Sequence, residues 1–193
     1  MGALFQSLGR SVFAGFVLVA FIVIAVGRYS FGEHAWWAFV FRWLHVMSGI
    51  MWVGLLWYFN FVQIPSMSKI PDEHKPAVSR VIAPAALFWF RWAAVATLVT
   101  GLMLAGMNKY LGSALMLSQG YHAIGIGMWL GIIMAFNVWF IIWPNQKKAL
   151  GIVEADAGAK AKAGRVAMLT SRINTMLSVP MLFCMVAQQN GGL

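Results

Sequence analysis

Two histidines, His45 and His122, each lie near the start of a long apolar run, and imidazole is a common ligand for transition metals and for haem iron. These runs are the second and fourth of five, so two crossings separate their starts and both run the same way through a membrane. Two imidazoles on parallel, neighbouring helices form a frequent cradle for non-covalent haem b. The offset between them, about five residues or roughly 7 Å at 1.5 Å per residue, is within what tilt absorbs. Gly49, one turn after His45, and Gly125, three residues after His122, would leave room for a macrocycle. Arg42, one turn before His45, suits a haem propionate. The plainer alternative is a pair of interfacial histidines with ordinary small-residue packing. Copper or zinc would need more donors, such as His34, Met47, Met51 or Met128. His74, in a charged loop, reads as a solvated residue.

A second polar layer is expected nearer the opposite side: Asn60 near the end of the second run, Arg91 about two turns into the third, Asn137 in the latter half of the fourth, and Arg172 with Asn174 near the start of the fifth. An arginine in hydrocarbon is costly without partners, and the carbonyls of Asn60 and Asn137 are the expected ones for Arg91. Together these groups could hold an anionic or planar polar ligand, or simply form a structural hydrogen-bond network. With no acid or evident general base among them, no catalytic residue is assigned.

The elements that must position these groups are membrane helices. The 193 residues are 61% hydrophobic and only 10% charged, with a mean hydropathy of +0.77, too apolar for an ordinary soluble domain. Apolar segments at 11–27, 37–62, 84–107, 119–143 and 166–187 are each long enough to cross a bilayer. Their hydrophobicity is continuous rather than alternating, which excludes barrel strands. The predicted fold is therefore an all-α, polytopic membrane helix bundle of five transmembrane helices in a single domain, 1–193. The first segment lacks a convincing cleavage site and reads as a retained helix. Pro65 and Pro71 are expected to end the second helix, Pro144 to end the fourth, and Pro84 to sit in the first turn of the third. The segment 154–164 reads as a short surface helix or a mobile loop.

Basic residues set the orientation. Arg10, then Lys69, Lys75 and Arg80, then Lys147, Lys148, Lys160, Lys162, Arg165 and Arg172 fall on one side, against Arg28, Arg42 and Lys109 on the other. The positive-inside rule puts the N-terminus in the cytoplasm and the C-terminus in the periplasm of a bacterial inner membrane. The net charge of +9 thus belongs to loops facing anionic lipid, not to a nucleic-acid interface. Cys184 is the one cysteine, so there is no CxxCH motif and no covalent c-type haem is expected.

Three stretches carry a resemblance: RWLHVMSGIMWVGLLWYFNF at 42–61, NVWFIIWPNQKK at 137–148 and SRINTMLSVPMLF at 171–183. They resemble the membrane domain of bacterial urate hydroxylases of the PuuD type, the urate oxidase N-terminal family. The second-helix pattern is similar, more distantly, to haem-binding membrane proteins of the HemJ type. The first resemblance implies a polytopic membrane portion tied to urate oxidation and often followed by a periplasmic c-type cytochrome domain. If the substrate carries over, Arg91, Asn60, Asn137 and Asn174 would receive an anionic purine from the inner side. The leading expectation is a haem b membrane electron-transfer protein or oxidoreductase subunit. It would pass electrons from a small reductant or quinone to a periplasmic cytochrome c or other redox partner. A urate- or purine-oxidising enzyme component and a structural or assembly subunit of a larger redox complex are the alternatives.

Overall fold

Continuous apolar sequence with few helix breakers folds here into helices and, among the described residues, into no strand. The computed structural model describes residues 5–27 and 31–192; Arg28, counted above among the outer basic residues, lies outside them. Five helices are long and apolar enough to span a membrane: α1 (Leu8–Val26), α2 (His34–Met67), α3 (Lys75–Met107), α5 (His122–Ala149) and α6 (Ala157–Asn190). The short helix α4 (Leu111–Leu115) lies between α3 and α5.

The chain divides into two units, 1–37 and 38–193. The first holds α1 and the opening turn of α2. No residue of α1 is buried, and its valines and isoleucines give it an apolar surface suited to lipid. Phe31 and Trp36 pack edge to face in the same unit, 5.3 Å apart.

The second unit has its own core, to which four long helices contribute. Trp52 and Leu56 of α2, Phe90 and Ala94 of α3, Met134 and Val138 of α5 and Ala167 of α6 are all essentially inaccessible. A smaller cluster joins Ala105, Ala114 and Met128, with Tyr110 and Tyr121 stacked at its edge. Helices α5 and α6 pack against each other along their length, and Gly127 permits a near approach where a Cβ would stand 3.2 Å from that of Cys184.

The prolines act differently from the sequence expectation. Neither Pro65 nor Pro144 terminates its helix: α2 continues to Met67 and α5 to Ala149. Pro84 is not in the first turn either, because α3 begins at Lys75. Each of these three prolines instead follows a π-helical segment that ends two residues earlier: Tyr58–Gln63, Val78–Ile82 and Asn137–Ile142. A proline lacks an N–H and crowds the carbonyl four residues back, and widening the preceding turn relieves both problems without breaking the helix. The stretch 157–164, expected as a separate surface helix or loop, is instead the first two turns of α6. Asp156 caps it, accepting from Ala159 N at 2.8 Å.

Candidate functional site

The two polar layers anticipated from the sequence are built in different ways. In the one that contains His45, α2 delivers this residue against α3. Its Nδ1 lies 2.8 Å from the main-chain oxygen of Thr97. A carbonyl can only accept, so Nδ1 carries the hydrogen and Nε2 keeps its lone pair. The ring lies against Gly101 so closely that a Cβ there would stand 2.8 Å from Cε1 and 2.9 Å from Nδ1. Thr97 and Gly101, four residues apart on one face of α3, are thus the seat of this histidine. The sequence reading missed them, although a small-xxx-small spacing on a membrane helix was the available signal.

No hydrogen bond joins His122 to this ring among the described residues. His122 is exposed at the head of α5, while the His45 imidazole turns toward α3. Gly49 has only the Thr97 methyl near the position of a Cβ, at 3.9 Å. Gly125 does not face open space: a Cβ there would collide with the Ala114 carbonyl and crowd Leu117, so this glycine admits α4 rather than a macrocycle. Arg42 is exposed and lies near Tyr110. Burial pushes the Tyr110 phenol above the ordinary tyrosine range, with Arg42 pulling the other way. His74 is exposed in its loop, 3.8 Å from Glu73. Among the described residues no three His, Cys, Asp or Glu side chains gather as a metal site.

At the other end of the bundle, the amides pair with α6 and not with Arg91. Asn60 Nδ2 donates to Leu56 O at 2.9 Å and to Ser171 Oγ at 2.8 Å. Asn137 Nδ2 donates to Asn174 Oδ1 at 2.8 Å, and Asn174, fully buried, donates to Met134 O at 2.9 Å. Higher up, Trp57 Nε1 donates to Ser178 Oγ at 3.0 Å, and that hydroxyl donates to Thr175 O. Arg91 lies on the Trp143 ring instead, 3.4 Å from its centroid, and Arg172 is exposed. The expectation that the Asn60 and Asn137 carbonyls satisfy Arg91 therefore fails: α6 holds the two amides through their Nδ2 groups, and Arg91 Nε and Nη1 have no acceptor although Asn60 Oδ1 is itself unpaired.

A cleft of about 270 Å³ opens at this end. All three π-helical segments contribute to its wall, through Phe59 and Gln63, Val78 and Ser79, and Ile142. Ser171 and Gln146 add further polar groups. Gln63 Oε1 and, behind Ser171, Asn60 Oδ1 are buried acceptors with no donor. Since Asn60 Nδ2 is fixed by the acceptor-only Leu56 carbonyl, the orientation of that amide is determined. An unpaired buried acceptor in the cleft wall, Gln63 Oε1, suits a ligand that offers N–H or O–H donors.

Residues 118–191 match the family model described as urate oxidase N-terminal. The match runs from the approach to α5 to the end of α6 and covers under half of the chain. It contains the second and third of the stretches on which the resemblance was drawn; the run 42–61, which also carries the HemJ likeness, lies outside it. No curated protein and no solved structure matches the chain.

Proposed function

We propose that this chain is a haem b-carrying membrane subunit of an oxidoreductase, set in a bacterial inner membrane with its C-terminus in the periplasm. It passes electrons to a periplasmic cytochrome or other redox partner. The observation that carries the reading is the His45 arrangement. A backbone carbonyl holds Nδ1–H, Gly101 fixes the ring plane, and Nε2 is left as a free donor to iron. This is the tautomer and restraint that an axial ligand requires, so His45 fits the group. Haem b would supply one-electron chemistry there. Thr97 orients the ligand and raises its basicity through the shared hydrogen, while Gly101 keeps the ring from swinging away. His122 is the candidate second ligand, and the structure leaves its ring without a hydrogen bond among the described residues.

The test is an oxidised and reduced visible spectrum with a pyridine haemochrome assay on freshly purified protein. Loss of the b-type signal in His45→Ala, with folding retained, is the expected result; full iron retention in that variant overturns the ligand assignment. His122→Ala, assayed in parallel, decides whether ligation is paired.

A second reading has its own support. The family match covers α5 and α6, which supply Ile142, Gln146 and Ser171 to the inner cleft. Urate is a planar purine with several N–H donors, which suits the unpaired Gln63 oxygen in the cleft wall. On this reading the chain is a component of a urate-oxidising membrane enzyme. Urate-dependent haem reduction that is lost in Gln63→Leu would favour it, whereas a spectrum indifferent to urate would leave electron transfer alone.

A further inference from the structure

Around Trp143 of α5 lies a group of side chains used by neither His45 nor the cleft. The Arg91 guanidinium, from α3, rests 3.4 Å from the Trp143 ring centroid, and Lys147 Nζ, one turn farther along α5, lies 5.7 Å from the same centroid. One indole thus serves two cations, and its quadrupole attracts both without neutralising either. Arg91 Nε and Nη1 are buried and have no acceptor. Trp139 Nε1 is also buried without an acceptor, in a ring 5.9 Å from that guanidinium. Among the described residues no ion pair answers these charges. Among the described residues the ion pairs join Glu73 with His74 and Asp72 with Lys75, while Asp156 caps α6. Unpaired donors held around a fixed cation inside an apolar bundle call for an occupant with several acceptor oxygens and negative charge.

We propose that Arg91, Trp143, Lys147 and Trp139 form a binding site for a phosphate oxyanion at the basic end of the bundle. A phosphate supplies only acceptors, enough of them to meet three N–H groups, and its charge offsets the two cations. Its placement suits an anionic phospholipid headgroup, since Lys147 and Lys148 continue the basic character toward the membrane surface. Free inorganic phosphate presents the same chemistry. The proposal goes beyond the redox reading and is tested without reference to haem or turnover.

Protein purified and delipidated in a non-ionic detergent is titrated with dioleoylphosphatidylglycerol, dioleoylphosphatidylcholine or inorganic phosphate. Native mass spectrometry counts bound molecules, and thermal unfolding reports stabilisation. The expected result is binding and a raised unfolding midpoint with phosphatidylglycerol, with phosphatidylcholine weaker. Binding of the anion should weaken about tenfold or more in Arg91→Gln, in keeping with the loss of charge-assisted hydrogen bonds, and less in Lys147→Gln. Lys160→Gln, on α6, should bind as the wild type. Stabilisation by inorganic phosphate equal to that by the lipid supports the site and assigns it a soluble occupant; stabilisation by the lipid alone assigns it the headgroup. Should Arg91→Gln fail to fold, Trp139→Phe and Lys147→Gln carry the test. No anion-dependent stabilisation, or wild-type anion binding in these variants, would overturn the proposal.

Discussion

Gly101→Ala and Gly106→Ala are chemically the same change, five residues apart on α3, and the structure separates their outcomes. Both replace a helical glycine with a better helix former, worth about 1 kcal/mol by propensity. At Gly106 nothing stands within 4 Å of the new methyl, so that gain is retained. At Gly101 the methyl would stand 2.8 Å from His45 Cε1 and 2.9 Å from Nδ1, inside any real contact distance. The ring must move, which costs about 1–3 kcal/mol of overpacking. It also lengthens the 2.8 Å bond to Thr97 O, forfeiting about 0.5–1.5 kcal/mol more. Gly101→Ala should therefore unfold more easily than the wild type by about 1–3 kcal/mol, and Gly106→Ala should match or exceed it. Denaturant unfolding in detergent, followed by tryptophan fluorescence, measures the difference. The visible spectrum of the same samples provides the functional reading: the b-type signal should fall in Gly101→Ala and persist in Gly106→Ala. Equal stability and equal spectra in the two variants would refute the seating of His45 on Gly101.

Further outcomes follow from other contacts. Asn174→Leu should destabilise by about 1–3 kcal/mol because it strands the Asn137 amide, and a double-mutant cycle with Asn137→Leu should return a coupling of about 0.6–1.7 kcal/mol. A coupling of zero would mean the amide pair is not formed. Gly125→Ala should cost about 2 kcal/mol or more, since backbone of α4 must shift, and a melt unchanged from wild type would show that α4 packs elsewhere. Tyr110 has a pKa raised by burial, so its folded state holds the proton more tightly than its unfolded state. Its contribution to stability is present below about pH 10 and lost as pH rises through the folded value. Ultraviolet titration should show a late-ionising phenol that disappears in Tyr110→Phe.

Local composition placed the membrane helices well but their ends poorly. Hydropathy located all five spans, yet α2, α3, α5 and α6 each run beyond their apolar segments, to Met67, from Lys75, to Ala149 and from Ala157. Charged and polar residues stop an apolar window, but they do not stop a helix whose backbone bonds continue into the interface. Pro65 and Pro144 looked like terminators because proline forbids the ordinary hydrogen bond, and a looser π turn was available to absorb that defect. In the site, His45 was recognisable as an imidazole in a membrane helix, whereas Thr97 holds it through a main-chain carbonyl and Gly101 through the lack of a side chain, so their small-residue spacing marks close packing without saying which side chain packs there.

What the sequence determined by itself was the all-helical, membrane-spanning character and the set of polar side chains that must find partners there, because twenty consecutive apolar residues have few other stable solutions. Which partner each polar group found was decided by the tertiary structure. Arg91 went to Trp143 rather than to the amides, Asn60 to Ser171, and His45 Nδ1 to a backbone carbonyl of α3. Those choices depend on helix rotation and depth, and a residue's spacing along its own helix does not fix which neighbour it will face.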